Sequence, residues 1–187
     1  MPGKPKNIRL GLGIAIGLFA CLAPAHSQLS SEFAVKAAYL TKFVAFIEWP
    51  KAVFRDPKSP IVICILGEDP FGAGIDRAAA STGPAGRAVV VRRMAIADTA
   101  EIARLAQCQM LYIGDPFIGF DAVASLKDLP VVTVTDSGIR PRGIISFVTQ
   151  DNHVRFDIDD AAAERTGIKI SSKLLELAHA VTRRGAP

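Results

Sequence analysis

The stretch Ile61-Val62-Ile63-Cys64-Ile65-Leu66, ended by Gly67, constrains the fold more than any other part of the chain. A strand with one wet face alternates apolar and polar residues. This run does not alternate, so it predicts a strand covered on both faces, and that demands layers on either side of a sheet. Asp69 and Pro70 fit the cap and first position of a short helix running to Ala80. The turn Gly83-Pro84-Ala85-Gly86 leads into a second strand, Ala88 to Arg92. A helix over Asp98–Gln107, with Ile102 and Leu105 inward, precedes a third strand at Met110–Ile113. A further helix around Phe120–Lys127 precedes a fourth strand, Val131–Thr135. Strands alternating with helices predict a single α/β domain with a mostly parallel central sheet and helices on both faces.

Three segments lie outside that alternation. Ile144–Val148 and His153–Ile158 flank Gln150-Asp151-Asn152 and read as a β-hairpin. Closing helices are expected over Asp160–Arg165 and Ser172–Arg184. The second of these sets Leu174, Leu177, Ala178 and Val181 on one face, with Arg183 and Arg184 at its negative end. An opening helix from Phe33 to Glu48 carries Phe33, Ala37, Leu40, Val44 and Ile47 on one stripe and Tyr39, Phe43 and Phe46 on its flank. Thr41, Lys42 and Glu48 mark its wet side, and Trp49-Pro50 stops it.

The first 27 residues read as a cleaved signal peptide: Lys4, Lys6 and Arg9, an apolar run from Leu10 to Leu22, then small residues at Ala23, Ala25 and Ser27. The run is too short for a membrane span. Phe19 stands where a lipoprotein signal carries a small or short aliphatic residue ahead of Cys21, which argues against a lipid anchor. Removing the three leader cations from the formal charge of +4 leaves +1 on residues 28–187. Charge therefore gives no case for nucleic acid or for an anionic membrane. Cys64 and Cys108 remain, a candidate disulfide in an oxidising compartment, with two buried free thiols as the alternative.

No catalytic pair, metal site or cofactor motif emerges from the residue spacing. Phe71-Gly72-Ala73-Gly74 lacks the third glycine of a dinucleotide fingerprint and falls inside a helix rather than in the turn after a strand. Asp157, Asp159, Asp160 and Glu164 do not follow a calcium-loop spacing. They read as a strand end followed by a helix cap at Asp160. His153 and His179 have no second histidine at ligand spacing. A small ligand, if one binds, is expected at the strand C-terminal edge near Gly67 and Asp69, where open α/β sheets place ligands.

Several segments together resemble the YfiR/HmsC-like family of small exported bacterial proteins. They are Val35–Leu40 with Phe43 and Glu48-Trp49-Pro50, Ile63–Gly67 with Asp69–Gly72, Gly86–Val91, Val131–Asp136, Gly143–Phe147, Val154–Ile158 and Gly167–Leu175. The resemblance implies a non-enzymatic periplasmic homodimer that binds the periplasmic sensor domain of an inner-membrane diguanylate cyclase and represses it. It also implies that Cys64 pairs with Cys108. The partner surface is expected to involve Tyr39, Phe43, Phe46 and Trp49 of the opening segment, with Ile168, Leu174 and Leu175 around the closing helix. Two departures stand out. The Asp136–Asn152 region lacks the second cysteine pair of some members, and Asp159 replaces a frequent asparagine.

Overall fold

A computed structural model describes residue 1 and residues 25–80, 83–95, 104–183 and 185. The expected leader falls almost wholly outside them, as do residues 98–103 of the expected third helix and Arg184.

β2 (Ile61–Leu66) is buried along its whole length, and its pleat divides it between two cores. Ile61, Ile63 and Ile65 join one apolar cluster, and Val62, Cys64 and Leu66 join the other. β2 pairs in parallel with β3 (Val89–Met94) on one side and with β4 (Met110–Ile113) on the other. β5 (Val132–Thr135) and β6 (Ile145–Gln150) extend the parallel set, β7 (His153–Asp159) returns antiparallel to β6, and β9 (Ala180–Thr182) lies parallel to β7. The order is β3-β2-β4-β5-β6-β7-β9, a mostly parallel seven-stranded sheet. α1 (Ala25–Phe43) and α2 (Ala73–Ala80) cover one face, through Ala37, Leu40, Phe43, Ile75 and Ala79. α3 (Pro116–Leu126) covers the other with Ala122, Val123 and Leu126, beside Leu105 and Cys108. The α/β architecture is therefore as the apolar runs predict. Among the described residues, no helix is long and apolar enough to cross a membrane.

The hairpin follows its turn chemistry. Asp151 and Asn152 take φ of 48° and 61°, the left-handed pair that a two-residue loop requires to match strand twist. α4 (Asp160–Arg165) is capped by Asp159, whose carboxylate accepts the Ala162 N–H. This corrects the expectation of a cap at Asp160, which is instead the first residue of the helix and is buried.

Both terminal helices end earlier than their periodicity suggests. After Phe43 the chain tightens into a 3-10 turn at Val44–Phe46 and becomes β1 (Ile47–Glu48). β1 pairs antiparallel with β8 (Lys169–Ile170), and Ser171 N–H donates to the Phe46 carbonyl. Thr41, expected on the wet side, is buried and returns its hydroxyl to the Ala37 and Ala38 carbonyls. α5 (Ser172–Leu177) stops where Ala178 turns extended, and His179 N–H donates to the Phe156 carbonyl as β9 joins the sheet. Val181 is thus a strand residue, Leu177 is exposed, and no helix end lies at Arg183.

Gly143 sits where the chain approaching β6 crosses β5. A Cβ there would lie 2.5 Å from the Thr133 carbonyl oxygen, and the Gly143 and Ile144 amides donate to the Thr135 and Thr133 hydroxyls. Backbone cannot yield as a side chain does. Gly143→Ala is expected to lower the unfolding free energy by about 1–3 kcal/mol, read from the urea midpoint at unchanged slope.

Candidate functional site

In an open parallel sheet, adjacent strands whose connections leave on opposite faces open a crevice at their carboxyl ends. That point lies between β2 and β4, because α2 covers one face while α3 and the residues before β4 cover the other. A cavity of about 290 Å³ occupies it, walled by Phe33, Pro70, Tyr112 and Pro116 and lined by the carboxylates of Glu68, Asp115 and Asp136.

Each strand end delivers its residues for a local reason. Gly67 leaves β2 at φ +85°, where a Cβ would come 3.2 Å from Ile118 Cδ1. Asp69 Oδ1 then accepts the Phe71 and Gly72 amides at 2.7 and 3.2 Å, and its Oδ2 takes Arg93 Nε at 2.8 Å. Arg93 also reaches Asp76 with both terminal nitrogens, at 3.0 and 2.7 Å. That pairing raises the guanidinium pKa and holds the Asp76 carboxyl below its ordinary range. Asp69 therefore ties the β2–α2 loop to β3, and α2 begins at Ala73 rather than at Pro70. On the other side of the crevice, Asp115 Oδ1 caps α3 through the Phe117 amide at 2.8 Å.

Asp136, at the end of β5, is the hub of the site. Lys36 Nζ donates to its two oxygens at 2.8 and 2.7 Å. Tyr112 OH donates to Oδ2 at 2.7 Å, and Ser137 N–H to Oδ1 at 2.7 Å. Lys36 bridges one helical turn back to Glu32 at 2.6 Å and lies 5.1 and 5.8 Å from the ring centroids of Phe33 and Phe147. Its side chain is 3% exposed. Residue spacing gave no sign of Lys36, Tyr112 or Asp136 as a unit, since Lys36 and Asp136 stand 100 positions apart. A lysine between apolar neighbours on an otherwise buried helix face was the one available signal.

Burial, with the Asp136 charge second, pushes the Tyr112 phenol well above its ordinary range. Folding thus holds a proton that the unfolded chain releases near pH 10. The contribution is complete below that pH and falls as pH rises above it. At pH 11, unfolding in denaturant is expected to raise phenolate absorbance at 295 nm as Tyr112 ionises. Tyr112→Phe should abolish that increment.

The aromatics expected to face a partner divide by burial. Phe43 and Trp49 belong to the core: Phe43 packs edge-on against Phe156 at 4.9 Å, and Trp49 Nε1 donates to the Gln109 carbonyl at 2.9 Å. Ile168 and Leu174 are buried as well. Tyr39, Phe46 and Leu175 are only partly buried. The β1–β8 pairing brings the end of the opening segment against the start of α5, so Phe46 and Leu175 come from neighbouring elements. Leu177, on the same short helix as Leu175, is 66% exposed. Cys64 and Cys108 form a disulfide that ties β2 to the residue two before β4, with Cα atoms 5.9 Å apart.

A family model described as YfiR/HmsC-like matches residues 33–179, from Phe33 at the crevice wall to His179 beside β9. No curated protein matches the chain.

Proposed function

The chain belongs to the YfiR/HmsC-like family, and from that premise we propose that it is a non-enzymatic periplasmic repressor of an inner-membrane diguanylate cyclase. In this reading the exported chain acts as a homodimer and binds the cyclase's periplasmic sensor domain. Binding keeps the cyclase inactive, lowers cyclic di-GMP and disfavours biofilm. The observation that carries the reading is the span of the family match, which covers most of the folded chain, including the elements around Phe46 and Leu175. The contact surface assigned to the sensor domain is Tyr39, Phe46, Leu175 and the neighbouring Leu177, because these apolar side chains retain exposure. Phe43, Trp49, Ile168 and Leu174 are buried and are left out of that surface.

The test is a cyclic di-GMP reporter in the host, with a Phe46→Asp/Leu177→Asp chain replacing the natural one. The expected result is derepressed reporter output at unchanged chain abundance, together with loss of a cyclase from the pull-down of detergent-solubilised membranes. Full repression by the double variant would reject the surface. Retention of no cyclase by the natural chain would reject the pathway. A second reading, a ligand-binding sensor that acts with a membrane receptor, is favoured by the walled crevice lined by Glu68 and Asp115, although Gly67 and Asp69 themselves do not line it.

A further inference from the structure

The crevice between β2 and β4 is lined by two kinds of surface. Its walls are ring and proline surfaces, while the charged groups that line it are all carboxylates: Glu68, Asp115 and Asp136, with no lysine, arginine or histidine. A site of mostly apolar walls with a few convergent polar groups is the ordinary form of a small-molecule pocket, and a volume near 300 Å³ is at the small end of that range.

The fold already shows which chemistry this edge accepts. The Lys36 ammonium sits on the Asp136 carboxylate with the Phe33 and Phe147 rings 5.1 and 5.8 Å away. An ammonium is held there by a carboxylate and by ring faces together. Lys36 and Tyr112 satisfy Asp136, so the unspent charge belongs to its neighbours. Asp115 commits Oδ1 to the Phe117 amide, and among the described residues no donor reaches Oδ2. Glu68 is exposed and has no ion pair among the described residues.

We infer that this crevice binds an organic cation, an ammonium or guanidinium on a short apolar stem, with Glu68 and Asp115 taking the charge and Phe33 and Tyr112 flanking the stem. The inference rests on the sensor reading and names its ligand class. An anionic ligand is disfavoured on the same grounds, because Lys36 is already spent on Asp136 and the remaining charges of the lining, Glu68 and Asp115, are both carboxylates.

The probes are agmatine and phenethylamine as free cations, acetyl-Ala-Arg-Ala-amide as the same guanidinium on a peptide, and glutarate as an anion. Each is titrated into the processed chain and followed by amide NMR shifts. The expected result is a saturable shift of Gly67, Gly114, Asp115 and Ser137 with a cation and none with glutarate. Glu68→Gln/Asp115→Asn should weaken that binding by roughly tenfold or more with little change in melting temperature, since asparagine retains the α3 cap. Saturation by the free amines assigns a soluble ligand, and saturation by the peptide alone assigns a basic side chain of a protein. Failure of all three cations to shift these amides overturns the inference, as does binding that the double variant leaves intact. Binding of glutarate without the amines would sink the cation class and leave a sensor role standing.

Discussion

Replacing Cys64 and Cys108 together by alanine is expected to lower the unfolding free energy by about 4 kcal/mol. The bond joins positions 44 apart, and closing a loop of that length removes denatured-state entropy worth about 4 kcal/mol at 25 °C. The native state gives little back, because both residues are buried in the core formed with Leu66, Leu105, Leu111 and Ile113, and truncation leaves space there rather than relief. Domain stabilities are about 5–15 kcal/mol, so the variant loses a large part of its margin. Its melting temperature should fall by roughly 8–16 °C. Urea unfolding of the oxidised natural chain against the double variant measures this directly. A loss below 1 kcal/mol would mean that the unfolded chain is already restricted across this loop. Under the repressor reading, the same variant should also raise the cyclic di-GMP reporter in proportion to its unfolded fraction, although it changes no residue of the Phe46–Leu177 surface.

The central strands were legible because a strand covered on both faces reads as a near-continuous apolar run. β2 and β4 therefore emerged with their observed ends, while β3 and β5 shifted by one or two residues. The hairpin was legible for a local reason too, since Asp151 and Asn152 tolerate positive φ. The terminal segments were not legible, because both end on pairings distant in sequence. Ile47 continues a helical stripe, yet its partner is Ile170. Val181 completes a helical face with Leu174 and Ala178, yet it lies beside Ile158 in the sheet. Helical periodicity describes which residues are apolar, and a two- or three-residue strand can satisfy the same pattern once tertiary partners exist. At the site, strand topology pointed to the carboxyl edge of β2, but neither Gly67 nor Asp69 lines the cavity there, and Asp69 is taken up by the loop amides and by Arg93 in another strand.

The same dependence on distant partners makes Lys36 the residue whose loss should be felt most. Lys36→Ala is expected to cost about 3–5 kcal/mol, the range for breaking a buried ion pair by removing one partner. The Lys36 and Asp136 side chains are 3% and 14% exposed, so neither charge is screened as a surface pair would be. Deleting the ammonium leaves Asp136 with the Tyr112 hydroxyl and the Ser137 amide as donors but no countercharge, and it strands Glu32 one helical turn away. Lys36→Met separates charge from packing, because it keeps an unbranched stem beside Phe33 and Phe147 and removes only the ammonium. If electrostatics dominates, methionine should recover less than half of the alanine loss. Adding Asp136→Asn to Lys36→Met should then restore about 1–2 kcal/mol, since the neutral amide can still accept from Tyr112 and no longer buries an unpaired charge. Denaturant unfolding of the natural chain, both single variants and the double closes the cycle. A coupling within about 0.5 kcal/mol of zero would show that Lys36 acts through its hydrocarbon stem alone. A large favourable coupling would identify this pair as the tie that fixes α1 to the end of β5 and, through Phe33, the wall of the crevice.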